Sequence, residues 1–195
     1  MQIDLSFIPD AISWDWEIRT FEVPENDISQ MIERFKSWRY VPGWKYKMLR
    51  RKNVTVMSNT PDEICDFLHF TRSAKWNILI NWLWLWCVIK ELLGKEDVKN
   101  ITVIEKSVDV INLVSPYFND KRLNIINADA FEYNPPKWEK YDYVWHDIWD
   151  YISADNLPEM EKLHRKYWKR TWWQDSWVKE ECKRLKRIES TRFYF

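Results

Sequence analysis

Asn77-Ile78-Leu79-Ile80-Asn81-Trp82-Leu83-Trp84-Leu85-Trp86-Cys87-Val88 is the stretch that decides the fold. The short apolar run ending at Asn81 is the length of a buried strand. The apolar residues that follow the alternating tryptophans begin a helix that ends near Gly94, a glycine placed to cap it. Moving outward, the pattern repeats. Strand Ile101–Glu105 leads to helix Val108–Val114. Strand Leu123–Asn127 leads to a loop over Ala128–Pro136, and strand Tyr141–Trp145 follows. Apolar strands separated by helices predict a parallel sheet joined by right-handed crossovers. The expected class is α/β, a Rossmann-like three-layer sandwich with a mainly parallel sheet.

The turn inside the opening stretch has unusual chemistry. Where a strand hands over to a helix at a ligand site, glycines let the backbone approach the ligand and aim helix N–H groups at it. Here Trp82, Trp84 and Trp86 stand at alternate positions. The whole chain of 195 residues holds only 2 glycines but 15 tryptophans, against a usual glycine share of about 7%. Trp44, Trp76 and Trp138 also lie where a small residue or a positive φ is expected, beside Pro42-Gly43, before a strand, and after Pro135-Pro136-Lys137. Many of these tryptophans are therefore expected to stand where the functional protein has glycine, as a reassigned codon translated as tryptophan would produce. Trp145, Trp149, Trp173 and Trp177 lie in strand or helix contexts and read as true tryptophans. Taken literally, the indoles would fill the loop and leave a non-catalytic Rossmann-like scaffold.

Residues 1–75 are expected to form an N-terminal α+β extension, and 76–195 the Rossmann-like nucleotide-binding domain with a helical C-terminal tail. In the extension, Trp16–Val23 alternates like a strand. Asn26 or Asp27 caps a helix over Ile28–Lys36, Lys45–Lys52 is a basic run, and Val54–Met57 is a short strand. Thr60-Pro61-Asp62-Glu63 opens a helix reaching Ser73. After Asp150, Asn156–Lys169 and Gln174–Ile188 read as two amphipathic helices, with a weak strand at Arg192–Phe195.

Composition narrows the function classes. Lys+Arg and Asp+Glu are 30 each, so charge does not call for nucleic acid. The basic runs His164–Arg170 and Lys183–Arg187 are diluted by Glu159, Glu161, Glu180 and Glu181. Three widely spaced cysteines fit neither a disulfide framework nor a zinc site. Asp4 and Asp10 interrupt any apolar leader. The apolar run Trp76–Val88 is shorter than the ~20 residues of a membrane span. A cytoplasmic protein without a membrane partner is expected.

Three further groups carry candidate chemistry. Glu105, with Lys106, ends the second strand of the α/β pattern, roughly 20 residues past the loop, where a carboxylate bonds ribose hydroxyls. Asp129-Ala130 follows the third strand, where an acid accepts from an adenine amine. Trp145-His146-Asp147-Ile148-Trp149-Asp150 lies at the carboxyl end of the fourth strand, where open α/β sheets bind ligands. There Asp147 is placed to orient or deprotonate an amine, and His146 to act as a base. The candidate cofactor-binding set is thus Asn81, Trp82, Trp84, Trp86, Glu105, Lys106, Asp129 and Ala130. The candidate catalytic set is Asp147, His146 and Asp150. Glu105, Asp129 and Asp147 are expected to converge on one cleft beside residues 82–86.

On these motifs, residues 77–150 resemble class I S-adenosylmethionine-dependent methyltransferases, and within them the spermidine synthase branch. That branch has a glycine loop at the spacing of Trp82, Trp84 and Trp86, an acid at Glu105, Asp-Ala at Asp129-Ala130, and Asp-x-x-Asp at Asp147 and Asp150. The resemblance implies S-adenosyl-L-methionine as cofactor, Glu105 and Asp129 holding its adenosyl part, and Asp147 facing the reacting group. It implies a methyltransferase of unknown acceptor. The alternative is aminopropyl transfer from decarboxylated S-adenosylmethionine, with Asp147 and Asp150 binding an amine. Tyr151 stands where the branch has proline, and no polyamine-binding hairpin domain is recognisable before residue 76.

Overall fold

The computed structural model describes residues 2–25, 41–83 and 86–192. The helix expected over Ile28–Lys36, Trp84, and residues 193–195 of the expected final strand lie outside them. Two sheets organise the described residues. The first is antiparallel, in the order β1 (Ala11–Ser13), β2 (Trp16–Val23), β3 (Trp44–Arg51), β4 (Val54–Ser58). The basic run is therefore a strand. Its cations are partly paired across the sheet, Lys47 with Asp10 at 2.6 Å and Arg50 with Glu17 at 3.1 Å. Two-residue turns join β1 to β2 and β3 to β4, since Ser13 pairs with Trp16 and Arg51 with Val54. At the second turn Lys52 and Asn53 both take positive φ, the twist such tight hairpins require.

Helix α1 (Pro61–Ser73) follows, with Pro61 in its first turn and Asp62 and Glu63 at its positive dipole end. Thr60 occupies the cap position but makes no side-chain capping bond. Instead Glu63 reaches back to accept from the Ser58 N–H at 2.6 Å and the Ser58 hydroxyl at 2.9 Å.

The second sheet is parallel throughout. Its strands are β5 (Trp76–Asn81), β6 (Val98–Glu105), β7 (Leu123–Asn127), β8 (Tyr141–His146) and β9 (Thr171–Ser176), in the order β7-β6-β5-β8-β9. The helices are α2 (Trp86–Leu93), α3 (Val108–Val114), α4 (Leu157–Tyr167) and α5 (Lys179–Arg192). The fold is α/β and Rossmann-like, with the antiparallel sheet before it. The C-terminal part is not purely helical, because β9 lies between α4 and α5 and extends the sheet edge. Arg192 belongs to α5 rather than to a strand. Gly94 follows α2 without a positive φ, so it is not the left-handed cap its position implied.

One buried apolar cluster runs from Ile3, Leu5 and Ile18 through Ile64 and Phe70 to Ile78, Ile80, Val103 and Trp145. It joins the antiparallel sheet, α1, α2, α3 and one face of the parallel sheet. The opposite face, with Leu79, Ile104 and Val144, packs against Tyr167 of α4. No helix among the described residues is long and apolar enough to cross a membrane.

Candidate functional site

Chain order 3-2-1-4-5 in the parallel sheet puts its reversal between β5 and β8. Crevices in such sheets open outside the carboxyl ends of the strands near that reversal. The structure has a cavity of about 620 Å³ there, within the usual range for small-ligand sites. Trp82 follows β5. Glu105, Lys106 and Ser107 come from the end of β6, Asp129 and Ala130 from the end of β7, and Ile148 and Asp150 from beyond β8. The β1–β2 turn, with Trp14 and Asp15, closes the cavity together with Trp16 and Arg51. The Ser13 hydroxyl anchors that turn by donating to the Asp109 carboxylate on α3 at 2.7 Å.

Glu105 is fully buried. One carboxylate oxygen accepts from the Leu83 N–H at 2.9 Å and the other from the Ser107 N–H at 2.6 Å. It therefore ties the loop after β5 to the start of α3. Each oxygen keeps acceptor capacity for a ligand. Burial pushes its pKa up to about 7, although backbone N–H donors oppose the shift. Asp129 is its complement. Burial raises its pKa, but the Lys106 ammonium at 2.8 Å and the Phe131 N–H at 2.7 Å outweigh that and hold the carboxyl below its ordinary range. It is anionic at neutral pH.

A second cavity of about 250 Å³ lies across Trp82. Asp62, Glu63 and Asp66 of α1 line it together with Asp147, Trp149 and Trp177. Asp147 is pushed up to about 8 by burial and by the neighbouring carboxylates of Asp66 and Glu63. Glu63 is pushed up to about 7 by burial and by Asp66 and Asp62, against the Ser58 hydrogen bonds. The indole N–H of Trp177 donates to Asp66 at 3.2 Å.

Glu105 and Asp129 thus share one cavity with Trp82, while Asp147 lies in the adjoining one, so the three do not meet in a single cleft. Asp150 lines the first cavity rather than standing beside Asp147. His146 lines neither. It is buried on the α4 side, its ring within 2.6 Å of the Asn81 amide and 3.3 Å of the Gln174 amide. Burial, then His164, pushes its pKa down to about 3, so it stays neutral and out of reach of a ligand in either cavity. Asn81 is fully buried beside it, and Trp86 is buried in the core at the start of α2. Sequence reasoning missed the acids of α1 and the Trp14–Trp16 and Arg51 wall. No local signal marks them, because they reach the site only through contacts between the two sheets.

No family model matches the chain, and no curated protein matches it. Among solved structures it is similar to the spermidine synthase from Thermotoga maritima, at 16% identity and a TM-score of 0.48, covering 84% of this chain and 52% of that one. It is similar to the N-methyltransferase NodS from Bradyrhizobium japonicum WM9, at 14% identity and a TM-score of 0.41, covering 52% and 55%. A third is the plantazolicin methyltransferase BpumL in complex with SAH, at 13% identity and a TM-score of 0.40, covering 55% and 38%. The chain spans about half the length of the first two. At these identities and scores the likeness is one of chain arrangement alone.

Proposed function

We propose that the chain is an S-adenosylmethionine-dependent methyltransferase. The observation that carries this reading is the pairing of Glu105 and Asp129. They lie at the carboxyl ends of adjacent parallel strands and line one cavity with the loop after β5. The cavity is large enough for an adenosyl group, and its acids suit one. Glu105 would accept from the ribose hydroxyls and Asp129 from the adenine amine, with Phe131 as the apolar neighbour of the base. S-adenosylmethionine supplies an electrophilic methyl group carried on a sulfonium. The protein's part is to hold the acceptor in line with it and to exclude water.

The acidic cavity across Trp82 is the acceptor side of this reading. Carboxylates with Trp149 and Trp177 suit an ammonium or amine. Asp147, whose pKa is pushed up to about 8, gains the carboxylate form that can take a proton from such a group as the pH rises toward 8. The same lining supports a second reading, aminopropyl transfer. Turnover of putrescine with decarboxylated S-adenosylmethionine, and not with S-adenosylmethionine, would select it.

Calorimetric titration of S-adenosylhomocysteine into the Trp82→Gly protein tests the cofactor reading. Binding is expected, and adding Glu105→Gln or Asp129→Asn should weaken it roughly 10- to 100-fold, the worth of a hydrogen bond to a charged group. Heat that is absent, or unaffected by either acid, overturns the reading.

A further inference from the structure

Among the described residues, six that are not glycine take positive φ, and three of them are tryptophan: Trp14 at 50°, Trp76 at 60° and Trp82 at 110°. Neither Gly43 nor Gly94 does. Half of the positive-φ positions among the described residues thus fall on tryptophans, the others being Lys52, Asn53 and Val178. Trp14 is the first residue of the two-residue β1–β2 turn, and Asp15 after it is not at positive φ. That is the hairpin turn whose first position takes glycine. Trp44 and Trp138 are at ordinary φ, so for them the backbone adds no such argument.

Trp82 is the most extreme case. Its φ lies beyond the left-handed α region, which side chains visit at about 50–70°. The conformation is imposed by both neighbouring strands. The Trp82 N–H donates to the Ile104 carbonyl at 2.7 Å, the Leu83 N–H to Glu105 at 2.9 Å, and the Asp147 N–H to the Asn81 carbonyl at 3.2 Å. Rotating φ back would break contacts to both β6 and the end of β8. Trp82 also lines both cavities, the one holding Glu105 and Asp129 and the one holding Asp147 and the α1 acids.

We propose that position 82 is a glycine position in the working protein, and that the Trp82 indole is the wall dividing a single cleft into an adenosyl half and an acidic acceptor half. The naming of the halves rests on the methyl-transfer reading; the backbone argument does not. With glycine there, a group bound beside Glu105 and Asp129 faces one bound beside Asp147 with no side chain of the described residues between them. Transfer between the two halves requires this.

Three measurements test the proposal. Thermal unfolding of W82G and W82A, without ligand, ranks glycine against alanine. At an ordinary φ, alanine is the more stable because glycine loses more entropy on folding. At a positive φ the order reverses. W82G is expected to melt above W82A, and the opposite order overturns the proposal. Peptide mapping by mass spectrometry of the protein isolated from its own cells is expected to find glycine at 82; tryptophan there overturns it. S-adenosylhomocysteine is expected to bind W82G at least about tenfold more tightly than the Trp82 protein. Equal binding removes the dividing wall from the proposal. Binding by neither sinks the cofactor reading, while the melting order still decides the backbone claim.

Discussion

Glu105 shows how one side chain serves both fold and site. Its carboxylate satisfies two backbone donors, on Leu83 and Ser107, that would otherwise be unpaired at a strand-to-helix junction. Its burial sets a pH dependence. A free glutamate loses its proton near 4.5 and this one near 7, so between those values the folded chain holds a proton the unfolded chain has released. The stability it contributes is complete below pH about 4.5 and is lost as the pH rises through about 7, by roughly 3 kcal/mol. Glu105→Gln does not titrate. Its stability relative to the parent should therefore rise from pH 5 to pH 8, read from denaturant melts at each pH. A difference that stays flat would show that Glu105 is ionised throughout. The Asp129 carboxyl, held low beside Lys106, should contribute nothing to this trend above pH 5. Both acids were legible in the sequence, because a residue at a strand's carboxyl end is located by the strand alone. His146 and Asp147 were not separable there. Neighbours on a strand point to opposite faces, and only the packing of α1 on one face and α4 on the other decides which one meets a cavity.

At the scale of elements, α1 is the member that carries acids to the smaller cavity, and aromatic packing docks it. Phe70 stacks on Trp145 at 5.1 Å and 12°, and on Trp173 at 5.9 Å and 11°. Phe70 and Trp145 are fully buried. Phe70→Ala should cost about 3–5 kcal/mol, measured by urea unfolding, and should loosen the placement of Asp62, Glu63 and Asp66. A cost below about 1 kcal/mol would mean that α1 is held elsewhere. Trp173 belongs to β9, the strand the sequence concealed. Thr171-Trp172-Trp173-Gln174-Asp175-Ser176 has few apolar residues, as an edge strand can, and Gln174 reads equally well as the start of the helix that follows. The inner strands β5, β6 and β8 are flanked on both sides and carry denser apolar runs, and the other edge strand, β7, keeps Ile125-Ile126 between turn residues. That is why their limits were legible to within a few residues.

At the scale of the whole molecule, the two sheets share one core. Ile3, Leu5, Ile18 and Leu49 lie in the same buried cluster as Ile78, Ile80 and Trp145. Residues 76–195 made alone should therefore expose the apolar side of that cluster, melt without a cooperative transition and bind a hydrophobic dye. A sharp melt equal to that of the full chain would show instead that the parallel sheet stands by itself. The shared core also closes the first cavity, since it seats the β1–β2 turn and Arg51 over the strand ends. By itself the sequence determined the order of strands and helices between Asn77 and Trp145, the parallel sheet and two acids at its carboxyl edge. These follow from apolar periodicity and strand ends, which are properties of neighbouring residues. The tertiary structure alone decided that Trp82 lines two cavities, that Asp147 meets the acids of α1, that His146 turns to the other face, and that the N-terminal hairpin covers the first cavity. Each depends on residues far apart in the chain brought together by the sheet reversal and the common core, and no local pattern encodes such a contact.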